Sequence, residues 1–271
     1  MPSADNLRYF YRNVYRSGFL NPYRINFPQW IEYSAWADSQ LALIEKEVDW
    51  SRIKSVADIG CGYGFLLRAM RKRQQGIKAF AFEEDLYAAG YLGQYGITLN
   101  PPTTPTVDLC ISSHSLEHYT SPHAFFELIR KLSPRRLFIE VPNCDGLSNE
   151  FLKQPYHSPH LLFFSEQSLL RVAEDFGWRP IQIATTGWSL EDAVALMSLQ
   201  QEYILRLEQF TYMGKTIRTM KSFMKILVKR LISSLIQSDP KPQGPEHDLY
   251  RYGGKRFCLR GLFAPLGDSL V

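Results

Sequence analysis

At 271 residues, with 45% hydrophobic and 14% aromatic content, the chain can bury a substantial core as one elaborated domain or one domain with an appendage. Its net charge of +4 is too small an excess to argue for specific nucleic-acid binding, although it permits an acidic partner. Cys61, Cys110, Cys144 and Cys258 form no C-x-x-C pair and suggest neither a zinc site nor a disulfide framework.

Met1 to Phe10 lacks the basic-then-apolar order of a secretory signal, and no uncharged run approaches the roughly 18 residues of a membrane span, so a cytoplasmic protein is expected. Residues 1–50 are rich in tyrosine and tryptophan, with Pro22 and Pro28 breaking the run. Trp30, Tyr33, Ala37, Leu41, Ile44 and Val48 recur at three- and four-residue steps, which predicts an amphipathic helix in an N-terminal helical cap. The aromatic side chains either pack this cap onto the domain or line a substrate pocket.

Ser55 to Ile59 is a short apolar strand that carries Asp58 and runs into Gly60, Gly62 and Gly64. Phe65 to about Gln75 then has the content of a helix packing back on a sheet, ending at Gly76. Glycines in such a turn allow positive φ and close approach of a ligand to the main chain, and the helix offers free N–H groups, so a nucleotide-like cofactor is the expected occupant. G-x-G-x-x-G is not met, because Phe65 or Leu67 stands where the third glycine belongs, and no Gly-Lys-Ser/Thr follows. Ile77 to Phe82 reads as a second buried strand ended by Glu83, Glu84 and Asp85. Glu83 at that tip is placed to hold the two hydroxyls of a ribose, while Glu84 and Asp85 suit a solvated strand end or a helix N-terminus.

Leu86 to Gln94 predicts a helix, and Gly96 to Leu99 a short strand ahead of Asn100 and a proline-rich loop. Val107 to Ser112 is the next buried strand, followed by Ser113-His114-Ser115-Leu116-Glu117-His118-Tyr119. A helix through Phe125, Phe126, Leu128 and Ile129 leads to a strand from Leu137 to Asn143. Pro159-His160-Leu161-Leu162-Phe163-Phe164-Ser165 precedes a helix from Glu166 to Phe176, and Ile181 to Ile183 is a sixth strand.

Asp58-x-Gly60-x-Gly62-x-Gly64 resembles the first motif of class I S-adenosylmethionine (SAM)-dependent methyltransferases. The Leu-Glu-His segment after the fourth strand, the strand ending Val141-Pro142-Asn143 and the segment from Pro159 to Ser165 are similar to the small-molecule methyltransferases related to ubiquinone-biosynthesis O-methyltransferases. Four ordered motifs between about Val56 and Ile183 carry this resemblance. It implies a Rossmann-like, doubly wound, seven-stranded and mostly parallel sheet, whose last strand, Arg256 to Phe263, lies antiparallel beside strand six. It also implies SAM as cofactor, with no metal expected. The cofactor residues expected are Asp58, Gly60, Cys61, Gly62, Tyr63, Gly64, Glu83, Ser113 and His114. Ligands of such sheets bind outside the carboxyl ends of the strands, which gathers these residues and Asn143 on one edge.

Residues 188–254 are expected to be a helical insertion and loop, between a core of residues 51–187 and a final strand in residues 255–271. Residues 209–238 contain no acid, and Lys215, Arg218, Lys221, Lys225, Lys229 and Arg230 recur at helical steps beside an apolar stripe. Such a helix can cover the substrate pocket or a second subunit, giving a homo-oligomer, or touch an anionic membrane through about residues 215–236, or grip another acidic partner.

If the methyl acceptor is a hydroxyl, a base near neutrality is useful, and His114, His118 and His160 are the candidates. Glu117 either orients a neighbouring imidazole or caps the helix that begins near Pro122. The reading is methyl transfer to a small molecule or a glycan, most simply on oxygen. Alternatives are a protein or RNA methyltransferase, a catalytically silent SAM-binding scaffold acting through the basic helix, and, against the glycine spacing, an NAD(P)-dependent oxidoreductase.

Overall fold

The computed structural model describes residues 4–13, 27–85, 92–145, 160–189 and 256–267. Seven strands form one sheet in these residues: β1 Ser55–Ile59, β2 Lys78–Phe82, β3 Thr98–Leu99, β4 Leu109–Ser113, β5 Arg136–Pro142, β6 Trp178–Ser189 and β7 Arg256–Pro265. Their order is β3-β2-β1-β4-β5-β7-β6. β1 to β5 pair in parallel, and β7 lies antiparallel between β5 and β6. The described residues also form five α-helices: α1 Ala4–Asn13, α2 Phe27–Glu47, α3 Phe65–Arg73, α4 Pro122–Leu132 and α5 Glu166–Asp175.

Both faces of the sheet are covered, which is why its central strands read as continuous apolar runs rather than alternating ones. Val56, Leu109, Ile111, Phe138 and Leu262 meet α2 and α3 through Leu43, Ile44, Leu67 and Met70. Their chain neighbours Ala57, Cys110, Leu137, Ile139 and Phe263 point the other way, onto Phe125 and Ile129 of α4 and Leu169 of α5. The two-residue period of a strand thus splits one sequence run between two cores.

The helix ends follow local chemistry. Ser121 caps α4 by accepting the His123 N–H at 3.2 Å, with Pro122 just inside the helix, where its missing N–H costs nothing. Ser165 and Ser168 form a reciprocal capping box on α5. Pro28, expected to break the chain, instead lies in the first turn of α2, the one place a helix accepts it.

One expectation shifts, and others fall outside the described residues. The helix predicted from Leu86 falls largely on residues 86–91, outside those described, and Gly93–Tyr95 form a short 3-10 turn. β6 is much longer than Ile181 to Ile183, because β7 supplies a full antiparallel partner, with irregular register at Pro180/Gln182 and Thr186/Ser189. It therefore runs on through Ser189, past the start expected for the insertion. The basic stretch at 209–238, and with it the membrane and oligomer expectations, lies outside the described residues. No helix among the described residues is long and apolar enough to cross a membrane.

Candidate active site

The sheet order reverses between β1 and β4, and a crevice opens there beyond the carboxyl ends of the strands. It is a cleft of about 750 Å³, floored by the glycine turn and walled by α1 and α2. Asp58, Gly60, Cys61, Gly62, Tyr63, Glu83, Ser113, His114 and His118 all line it.

Gly60, Gly62 and Gly64 have φ of 70°, 52° and 68°, the left-handed region that side chains disfavour. At Gly60 space forbids a side chain as well, since an added Cβ would stand 2.2 Å from the Ser115 hydroxyl oxygen. Gly64 opens α3 with no side-chain cap, so the first N–H groups of that helix are left for a ligand. Asp58, at the end of β1, is buried with Glu83 nearby, and burial first, then that neighbouring charge, push its carboxyl well above the usual range.

Glu83 stands at the tip of β2. One carboxylate oxygen accepts the Gly62 N–H at 2.7 Å and the other the Asp85 N–H at 2.8 Å. Asn100 fixes it from the next strand: its side-chain oxygen accepts the Glu83 N–H at 3.0 Å and its amide donates to the Glu83 carbonyl at 2.8 Å. Asn100 adopts φ of 40°, which its residue type tolerates better than most, and itself lines the cleft. At the cleft edge Arg12 of α1 pairs with Glu84 at 2.7 Å.

His114 follows β4 with φ of 52°. Its Nδ1 lies 3.3 Å from Glu117, its Nε2 3.3 Å from Glu140 and 3.4 Å from the Cys258 sulfur. Burial disfavours the imidazolium, but Cys258 and the two carboxylates outweigh it and hold the ring well above the ordinary histidine range.

Beneath it lies a polar network that sequence reading missed. Glu140 of β5 and Arg260 of β7 form an ion pair with both side chains fully buried. The other Glu140 oxygen accepts from Trp36 Nε1 at 2.8 Å, Gln40 Nε2 at 2.9 Å and the Ser113 hydroxyl at 2.9 Å. Arg260 also donates to the Ser39 hydroxyl at 3.0 Å and its guanidinium lies 4.9 Å from the centre of the Trp36 ring. Burial opposes the Glu140 charge, but Arg260, then His114, pull its carboxyl down to about 2. One carboxylate thus pins α2, the wall carrying Tyr33 and Trp36, to the sheet. Trp36 thus packs the cap onto the sheet, and with Tyr11 and Tyr33 it lines the cleft.

His118 and His160 meet edge to face, ring centres 4.9 Å apart, and Tyr11 of α1 closes on His118 at 5.6 Å. His160 stands behind His118 rather than in the cleft lining. Glu117 is buried among His114, His118 and His160, which favours its orienting of imidazoles; the capping alternative fails because Ser121 does that work. Asn143 is buried and turned inward, accepting the Asp145 N–H at 2.9 Å, and does not reach the cleft.

A parallel sheet with one reversed strand next to last, helices on both faces and a glycine turn at the switch point defines the Rossmann-like methyltransferase fold. The methyltransferase domain family model matches residues 33–183, more than half of the chain, and the chain belongs to that family. It is a methyltransferase. Among solved structures it is similar to a protein of Galdieria sulphuraria described as a sarcosine dimethylglycine methyltransferase, at 16% identity and TM-score 0.53, covering 86% of this chain and 85% of that one. The magnesium protoporphyrin IX methyltransferase of Synechocystis PCC 6803, solved with S-adenosylhomocysteine (SAH), gives 17% identity and TM-score 0.50, covering 69% and 94%. At these identities the likeness is one of fold. No curated protein sequence matches the chain significantly.

Proposed function

We propose that this methyltransferase draws its methyl group from SAM and transfers it to an oxygen of a small-molecule or glycan acceptor. The observation that carries the reading is the hydrogen bond from the Gly62 N–H to Glu83, which joins the open turn and the carboxylate of the neighbouring strand tip in one cleft. Glu83 then grips the ribose hydroxyls, and Gly60, Cys61, Gly62, Tyr63 and Gly64 offer main chain to the amino-acid part. Asp58 lies beneath that turn. Ser113 and His114 close the opposite edge of the cofactor's seat. When bound, SAM supplies a methyl on a sulfonium, so the protein's share is to exclude water and align an acceptor. His118, which lines the cleft, handles the acceptor hydroxyl, with His160 packed behind it. In this reading the cap of residues 1–50 and the insertion of residues 188–254 shape the acceptor site around the core.

Calorimetry with SAH tests the cofactor: one equivalent binds the full chain, and Gly62→Val, a branched residue at φ of 52°, abolishes binding while the fold persists. A folded variant that keeps SAH affinity refutes the placement, as does a parent chain that binds NADH and not SAH. Mass spectrometry of extracts incubated with isotope-labelled SAM identifies the acceptor, and a label found only on nitrogen or carbon overturns the oxygen assignment. SAH binding with no labelled product in any acceptor pool would instead mark a silent binding protein.

A further inference from the structure

The carboxylate of Glu117 is only 1% exposed, and among the described residues neither of its oxygens receives a hydrogen bond of good geometry. A buried charge in that position is costly unless something compensates it. Its Oε1 faces His114 Nδ1 at 3.3 Å, His160 Nε2 at 3.9 Å and His118 Nε2 at 4.0 Å. The last two separations are too long for hydrogen bonds. The ligand atoms of Glu117, His118 and His160 all lie within 4.8 Å of one another.

The arrangement is fixed by main chain rather than by chance contact. Leu161 and Leu162 donate their N–H groups to the Glu117 carbonyl at 2.8 and 3.0 Å, which seats His160 against the turn that carries Glu117 and His118. Two imidazole nitrogens and one carboxylate oxygen are a donor set suited to zinc, iron, manganese or cobalt rather than magnesium or calcium. With metal–ligand distances of about 2.1 Å, adjacent tetrahedral ligands stand about 3.4 Å apart, so these atoms need close in by only about 0.5–1.5 Å.

We propose that Glu117, His118 and His160 form a binding site for a divalent transition-metal cation at the wall of the methyl-transfer cleft. The inference rests on that cleft being the transfer site. Of the three, His118 lines the cleft, so a cation held there would make an acceptor hydroxyl that reached it easier to ionise. The proton leaves to solvent; the oxygen then forms the O–C bond as the C–S bond breaks, and the sulfur keeps the electron pair as a neutral thioether. The neighbouring group of His114, Glu140 and Cys258 offers no such site, because Glu140 already pairs with buried Arg260 and accepts three further donors.

The test is calorimetry of the full chain, stripped with a chelator, against Zn²⁺ and Mn²⁺ separately, with the absorption spectrum of a Co²⁺ complex as a readout of ligand geometry. One equivalent binds. Because partners that merely orient ligands are worth about 10- to 100-fold, His118→Ala and His160→Ala each weaken binding by at least about 100-fold and alter the Co²⁺ spectrum. Cys258→Ser leaves affinity within about threefold, since it belongs to the other group. His118→Asn and His160→Asn repeat the test should the alanine variants unfold. A parent chain that binds neither ion overturns the proposal; so does binding that survives both histidine substitutions, or binding lost in Cys258→Ser alone. SAH calorimetry on the same variants separates the two readings. A parent that binds the cation but not SAH removes the methyl-donor assignment and leaves the cation site, whereas unchanged SAH binding without any cation removes the site alone.

Discussion

Arg260→Met is the sharpest test of how the cleft wall is held. The substitution removes the buried guanidinium that pairs with Glu140 at the core of the network, while Met keeps much of the apolar bulk. Deleting one partner of a buried pair costs roughly 3–5 kcal/mol, because the remaining charge is left uncompensated. Here Glu140 keeps three donors at 2.8–2.9 Å and His114 at 3.3 Å, so the lower end applies, about 3 kcal/mol. At roughly 2–4 °C per kcal/mol for a chain of this size, the thermal midpoint falls by about 6–12 °C. Urea unfolding and calorimetry measure it, with Glu140→Gln and the double variant completing a cycle. The double variant is more stable than the sum of the singles by at least about 1 kcal/mol, since neither leaves the other's charge stranded. Arg260→Met within about 1 kcal/mol of the parent, or strict additivity, would refute the reasoning.

Gly60→Ala places a Cβ on Ser115 in a backbone region that costs a side chain about 1–2 kcal/mol, so SAH affinity drops at least about tenfold, and Ser115→Gly in the same chain restores part of it. Unchanged SAH affinity in Gly60→Ala alone would contradict this geometry. Asn100→Gly preserves the positive φ but unclamps Glu83, and should weaken SAH binding by about tenfold with little change in the thermal midpoint. Equal affinity in that variant means the clamp does not position the carboxylate. Glu140, held at about 2 against an ordinary 4.5, contributes stability that is present above pH 4.5 and lost as pH falls towards 2. The parent therefore loses stability over that window faster than Glu140→Gln, and parallel urea titrations would show that the shift is absent.

The glycine turn, the acid at the tip of β2 and the succession of strands were legible because each is encoded locally, as an apolar run, a breaker or an acid at a strand tip, whereas the antiparallel placement of β7 came from the family resemblance. The His114 to His118 segment was legible as chemistry-bearing but not as geometry, since Glu117 and His160 meet only through folding. The network under His114 was hidden for a different reason. Glu140 and Arg260 sit in the middle of apolar strands, Leu137 to Val141 and Cys258 to Phe263, where an isolated charge is the visible signal, yet nothing in either strand names the other as its partner. Asn100 followed by prolines gave no sign of its clamp, which depends on a left-handed backbone and on β3 lying beside β2.

β7 follows the other six described strands along the chain yet lies inside the sheet, between β5 and β6. During synthesis, a nascent polypeptide that has emerged only as far as β6 holds the glycine turn, Glu83 and the histidines, but its Glu140 has no guanidinium to neutralise it and β5 ends in an open edge. Completion of the cleft thus waits on β7 to leave the ribosome.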